Sequence, residues 1–191
     1  DENGLPRIGR GDWNDGFSSV GLGGKGTSVW LALFLAAVLT RFATVCARMG
    51  QADLEQDCKD KANALRQAVD AHCWDGQWYI RAFFDSGEKM GSHQSPECRI
   101  DLLPQAFAVL AGMPDLQRVD QGLQSALDHL VDHKLRLVRL FDPPFQHSHL
   151  QPGYVKAYPS GLRENGGQYT HSAGWFAMAL LLAGRVEAGW Q

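Results

Sequence analysis

The sequence has no metal-binding spacing. Its four cysteines, at 46, 58, 73 and 98, form no C-x-x-C or C-x-x-H pair, so no zinc site is read. They read instead as buried, reduced thiols of a cytoplasmic protein. It has no excess of positive charge: 18 Lys and Arg stand against 21 Asp and Glu, for a net charge of −3. No broad basic field is available for nucleic acid or an anionic membrane, and neither is expected as a partner. No charged-then-apolar leader is read at its start. Its most apolar run, Val29 to Leu39, spans 11 residues before Thr40 and Arg41, where a bilayer crossing needs about 20. That run is expected to be a buried core helix without direct membrane contact. No repeat of fixed period is visible.

What is present reads as one globular domain over residues 1–191, with 45% hydrophobic and 20% charged residues. Helix composition runs from Thr27 to Met49 and stops at Gly50. Asp53 to Cys73 carries an apolar face of Leu54, Ala62, Leu65, Ala68 and Val69. Trp78 to Phe84, with a turn at Asp85-Ser86-Gly87, predicts a short hairpin. Asp101 is expected to cap a third helix to about Ala111, with Pro104 in its first turn. Pro114 or Asp115 opens a fourth helix to about His133, and Leu135 to Phe141 alternates like a strand. A long loop follows, Asp142 to Gly167, and a fifth helix, Tyr169 to Ala183, apolar nearly all round and therefore expected to be buried. The fold class expected is all-α: antiparallel helix pairs with short β-hairpins and long loops, part of a helical toroid.

Two stretches concentrate chemistry. The first is Gly11-Asp12-Trp13-Asn14-Asp15-Gly16. Two acids, an amide and an indole between glycines suit a sugar, with hydroxyls to bond and C–H faces to stack on. The same pattern also suits a turn in which Asp12 or Asp15 bonds its own backbone. The second stretch packs Arg163, Glu164, Asn165, Gln168, Tyr169, Thr170 and His171 against the start of an apolar helix. Arg163 suits an anion or paired hydroxyls, Glu164 and Asn165 suit sugar hydroxyls, and His171 lies near the positive end of a helix dipole. A capped helix with a buried polar network is the alternative. Gly21 to Gly26 ("GLGGKG") lacks P-loop spacing and a preceding strand, so no nucleotide site is read. His129 with His133, and His147 with His149, read as solvated faces; no metal is expected. Glu97 to Asp101 ("ECRID") reads as a helix cap with an ion pair, with part of a site wall as the alternative.

Read together, GDWNDG, "GKGTSVWLALFL", "ECRIDLLPQAFAVLAG" and "PGYVKAYPSGLRENGGQYTHSAGW" resemble the glycoside phosphorylases of family 94. The wording of Tyr158 to Ala173 is nearly that of the phosphorylase-like region of bacterial cyclic β-1,2-glucan synthases. The resemblance implies an (α/α)6 barrel and inverting phosphorolysis of a β-glucosidic bond, giving α-glucose 1-phosphate. It implies Asp15 as the general acid and Trp13 in the donor-sugar subsite. It implies sugar contacts from Arg163 and Glu164, and phosphate binding by His171. The partners implied are a β-glucan oligosaccharide and inorganic phosphate as co-substrate, with no cofactor. The chemistry is consistent: an inverting hydrolase needs a second carboxylate about 6.5–9.5 Å away as base, whereas phosphate is already an anion and needs only to be held. Counterparts of the family's upstream sugar ligands and downstream phosphate contacts are not read in the chain. It is therefore expected to be part of a barrel from a longer protein, whether soluble or an inner-membrane protein's soluble domain. By itself it is expected to be inactive and to cover its exposed helix faces as a homo-oligomer. A hydrolase using Glu164 as base and a non-catalytic glucan-binding module stay open.

Overall fold

A computed structural model describes residues 1–190. The chain is mostly helical. It runs β1 (Thr27–Ser28), α1 (Val29–Arg48), α2 (Ala52–His72), β2 (Ala82–Phe83), β3 (Lys89–Met90), β4 (Ile100–Asp101), α3 (Leu102–Leu110), α4 (Leu116–Leu130), β5 (Val131–Asp132), β6 (Leu137–Val138) and β7 (Phe141–Asp142). A 3-10 turn at Tyr154–Ala157, α5 (Thr170–Leu182) and α6 (Val186–Trp190) complete it.

The helices form two layers. Each of α2, α4 and α6 folds back on the helix before it, while α1 packs on α3 and α3 on α5. The odd helices share one C-terminal device. After α1, the N–H groups of Gly50 and Gln51 return to the carbonyls of Ala47 and Cys46; Gly112 and Met113 do the same after α3, and Gly184 and Arg185 after α5. Each glycine has positive φ, between 67° and 77°, the left-handed position that a Cβ disfavours. At the other end, Ser28 Oγ accepts from Leu31 N at 2.9 Å, and Asp101 Oδ1 accepts from Leu103 N at 2.8 Å. These caps satisfy donors left over by the first helical turn.

One apolar cluster joins α1, α2, α3, the β1–β3 sheet and the loops around Phe17 and Phe145. A second joins Leu102 and Ala106 of α3, Leu123 and Ala126 of α4, and Phe176 and Leu180 of α5. All four cysteines are buried and free.

Several boundaries differ from the sequence-based expectation. The first helix starts at Val29 because Thr27 and Ser28 pair with Phe83 and Ala82. The Trp78–Phe84 hairpin shrinks to Ala82–Phe83, which pairs on both sides, with β1 and with β3. The fourth helix stops at Leu130 rather than His133, since Val131 and Asp132 leave it to pair with Val138 and Leu137. Leu135 to Phe141 is no single strand. Leu137–Val138 pairs with β5 and Phe141–Asp142 with β4, so the alternation spans a change of partner. The structure adds a sixth helix, α6.

Neither expected core helix is buried all round. On α5, only Ser172, Phe176, Ala179 and Leu180 are buried, and Leu182 is 65% exposed. Helix α1 buries one face and exposes Phe34, Val38, Phe42 and Val45. Apolar composition set both expectations, but burial depends on which neighbours the face meets. Helix α1 continues past Thr40-Arg41 to Arg48. It is long and apolar enough by composition to cross a membrane, although one face packs in the molecule.

Candidate functional site

The GDWNDG loop is held through Asp12. Its carboxylate accepts a two-pronged bond from the Arg81 guanidinium, Nη1 and Nη2 each at 2.7 Å. It also accepts from Ser28 Oγ at 2.6 Å and from the backbone N–H of Asn14 at 3.0 Å. Both side chains of the Asp12–Arg81 pair are inaccessible to solvent. Asn14 is buried and accepts from Gly16 N at 3.1 Å. A Cβ on Gly16 would come within 2.9 Å of Val155 Cβ, so glycine lets the long loop close onto this one. That closure is sealed by a bond from Val155 N to Gly16 O at 3.0 Å. Asp12 is thus a structural acid. Asp15, which follows the buried Asn14, is left exposed. The Tyr154 hydroxyl stands at the Asp15 carboxylate. Burial and that neighbouring negative charge push its phenol up to about 12.

The Arg163–His171 stretch has the opposite balance. Asn165 is fully buried as a staple: its Oδ1 accepts from Phe145 N at 2.8 Å, and its Nδ2 donates to Phe145 O and Tyr158 O. It is therefore unavailable for the sugar hydroxyls expected of it. Gly166 has φ 78°, and a Cβ there would meet Pro144 Cγ at 2.8 Å. Arg163 adopts φ 49°, a left-handed conformation that is uncommon for a side-chain-bearing residue. Its guanidinium carbon sits 4.7 Å from the Tyr158 ring centre, and Nε lies 3.5 Å from Glu164 Oε2. Glu164 is buried, and Oε2 has no hydrogen-bond partner within the described residues. Tyr169 lies beside Glu164. Its hydroxyl is raised in pKa by burial and by that carboxylate, with Arg163 pulling the other way.

Four rings join the two stretches. Trp13 meets Tyr169 edge-on at 5.0 Å, His171 at 6.0 Å and Trp175 at 5.8 Å. His171 stacks with Tyr169 at 5.7 Å and with Trp175 at 5.8 Å. His171 is exposed and sits in the first turn of α5, whose N-cap residue, Tyr169, makes no side-chain cap bond. The free N–H groups of that turn and the imidazole together can hold an anion.

The structure therefore brings Trp13 and His171 into ring contact, and Arg163 and Glu164 into ion-pair contact. Tyr169 touches both pairs. Asp15 makes no hydrogen bond or ion pair with Arg163, Glu164 or His171 among the described residues. Two cavities, of about 330 and 600 Å³, lie elsewhere, the first around Trp78, His93 and His129 and the second between α4, the β5–β6 hairpin, α5 and α6. None of the five expected site residues lines either one. The other polar clusters have structural partners. His129 packs on Trp78 at 5.5 Å, and His149 Nε2 meets Glu88 at 2.7 Å. The ECRID ion pair is made by Asp101 with Arg81, at 3.4 Å, rather than with Arg99. Glu97 accepts the N–H groups of Gln146, His147 and Ser148. The N–H groups of Gly23, Lys25 and Gly26, in the glycine-rich loop, all go to the Asp85 carboxylate.

Sequence reasoning missed Arg81, Tyr154 and Trp175. Arg81 did leave a signal. It is the one charge in the run Trp78 to Phe84, "WYIRAFF", and a cation in a buried segment requires a buried acid. The acid it meets is in GDWNDG.

Comparison with known proteins agrees with this assembly of motifs. Over 189 residues the chain is 42% identical to the cyclic β-(1,2)-glucan synthase NdvB of Rhizobium meliloti (strain 1021), covering 99% of this chain and 7% of that protein. It is 35% identical over 176 residues to a solabiose phosphorylase of Paenibacillus borealis, covering 92% of this chain and 23% of that one. It is 33% identical over 189 residues to a 3-O-β-D-glucopyranosyl-β-D-glucuronide phosphorylase of the same organism, covering 99% of this chain and 24% of that one. The chain thus spans less than a quarter of the length of each of these relatives. The sequence pattern of the glycosyl hydrolase 94 superfamily catalytic domain matches residues 1–191, and the chain belongs to that family.

Proposed function

We propose that this chain is part of an (α/α)6 catalytic barrel in a glycoside phosphorylase or glucan synthase, and that it carries the acid and anion-binding portions of an inverting phosphorolysis site. The substrate proposed is a β-glucoside, with β-1,2-glucan favoured by the likeness to the glucan synthase. The alternating two-layer packing of α1 to α6 is what an arc of such a barrel would give. Residues 1–191 act as one domain of a longer protein. The four buried, unpaired thiols suit a cytoplasmic location.

One observation carries the reading: Trp13 of the acid loop lies against His171 at the uncapped start of α5. The loop that carries Asp15 and the start of α5 thereby meet at one indole, which supports reading them as parts of one site. Asp15 would protonate the leaving glycosidic oxygen. Phosphate, held by His171 and the first-turn N–H groups, would attack the anomeric carbon from the opposite face and give α-glucose 1-phosphate. Trp13 would pack on the sugar's C–H face, and Arg163 and Glu164 would bond its hydroxyls. No carboxylate base is needed, because the nucleophile arrives ionised.

The test is turnover in the full-length protein with and without inorganic phosphate. Phosphate-dependent release of glucose 1-phosphate is expected, with Asp15→Asn reducing kcat by about 10²-fold or more. Release of free glucose without phosphate would make the protein a hydrolase. Unchanged turnover in Asp15→Asn would remove Asp15 as the acid.

A further inference from the structure

The GDWNDG loop presents an exposed acid. Its own bonds, Asn14 N to Asp12 and Gly16 N to Asn14 Oδ1, are anchored to the rest of the molecule by a side chain 69 residues away. Arg81 is completely buried, and its planar head contacts three elements. Nη1 and Nη2 grip the two oxygens of Asp12. Nη1 also lies 3.3 Å from Ser28 Oγ, the cap of α1. Nε lies 3.4 Å from Asp101 Oδ2, the cap of α3. The guanidinium carbon is 5.1 Å from the Phe17 ring centre and 5.9 Å from that of Trp30, so two aromatic rings pack against it as well. Asp12 passes the restraint on, since its Oδ1 accepts the backbone N–H of Asn14, the residue just before Asp15.

A two-pronged bond fixes the rotation of a carboxylate as well as its position, which a point charge cannot do. Burying an ion pair of this kind is weak grounds for a stabilising role, because desolvation offsets most of the attraction. Its distinctive effect is geometric: it references the acid loop to the starts of two packed helices. We infer that Arg81 is a positioning residue, which through Asp12 sets the aim of the Asp15 carboxyl towards the anion cradle on α5. The inference rests on the reading of Asp15 as the proton donor.

The experiment compares the full-length wild type with Arg81→Lys, Asp12→Asn and, as a surface control, Lys61→Gln. Steady-state phosphorolysis of a β-1,2-linked glucose oligosaccharide is followed by glucose 1-phosphate release, with thermal unfolding in parallel. Arg81→Lys and Asp12→Asn are expected to unfold cooperatively while kcat falls by about 100-fold, the cost of misplacing a reacting group by about 1 Å. KM for phosphate should stay within about 2-fold, because the cradle belongs to another loop. Lys61, paired with Asp57 on the outer face of α2, should be silent. A folded Arg81→Lys or Asp12→Asn that keeps kcat within about 2-fold of wild type overturns the inference. So does a rise in KM for phosphate at unchanged kcat, which would place Arg81 in anion binding. Loss of fold in both variants also overturns it, since the pair would then serve stability rather than aim. A wild type without phosphate-dependent turnover would instead overturn the reading of the site, and this inference with it.

Discussion

Asp101 shows how one buried acid ties the site's framework to pH. It caps α3 and faces Arg81, yet burial outweighs that cation and raises its pKa to about 6. The folded protein therefore holds this proton more tightly than the unfolded chain, where an aspartate titrates near 3.9. The associated stability is fully present below about pH 3.9 and is lost as pH rises through about 6, a swing on the order of 3 kcal/mol. Asn caps a helix about as well as Asp, so Asp101→Asn removes the titration and keeps the cap. Urea unfolding from about pH 4 to 7 should show the variant gaining on wild type as pH rises. A constant difference between the two would mean that Asp101 is ionised throughout.

Among the elements, the long loop is held at its first half by Glu97, besides the Asn165 staple and the bond to Gly16. One carboxylate receives three successive N–H groups, from Gln146, His147 and Ser148. Burial raises its pKa, those bonds outweigh burial, and the net direction is down. Glu97→Gln keeps the shape but weakens charge-assisted bonds, each contributing about 1.5–3 kcal/mol. Trypsin should then cut at Lys156 and Arg163 sooner than global unfolding allows; an unchanged cleavage rate would show that the packing of Phe145 and Val155 suffices. Much at this scale was legible in the sequence. Asp101 and Gly50 stood where a cap and a left-handed stop were needed, because both needs are local. The repeated Leu-Ala-Gly at 110–112 and 182–184 marks two of the three matching helix ends and could have been read as such. The switch of partners between β6 and β7 could not be read, since alternation reports a pleat and says nothing of what lies across it. Nor could the staple made by Asn165. Its type suited a sugar ligand as well as it suited Phe145 and Tyr158, and only the path of the chain decides between them.

At the scale of the whole molecule, the helix layers end in unpartnered faces. Phe34, Val38, Phe42 and Val45 line one side of α1, and Met178, Leu181 and Leu182 are exposed on α5. The 191-residue chain alone is expected to self-associate in a concentration-dependent way and to release no measurable glucose 1-phosphate. Sedimentation should show Phe42→Glu shifting it towards monomer. A monomer at every concentration, or measurable turnover by the isolated chain, would contradict this. The glycine-rich loop holds a further consequence. Its N–H groups point at Asp85, so a phosphate ion arriving there meets a carboxylate already tethered in place. A tethered competitor acts at an effective concentration of millimolar order or above, and the loop is in effect deaf to phosphate. Among the described residues, no such resident acid accepts the first N–H groups of α5. Two turns of similar backbone chemistry thus differ in one respect: the glycine-rich loop carries its own carboxylate partner, and the start of α5 leaves its N–H groups to whatever anion the site takes.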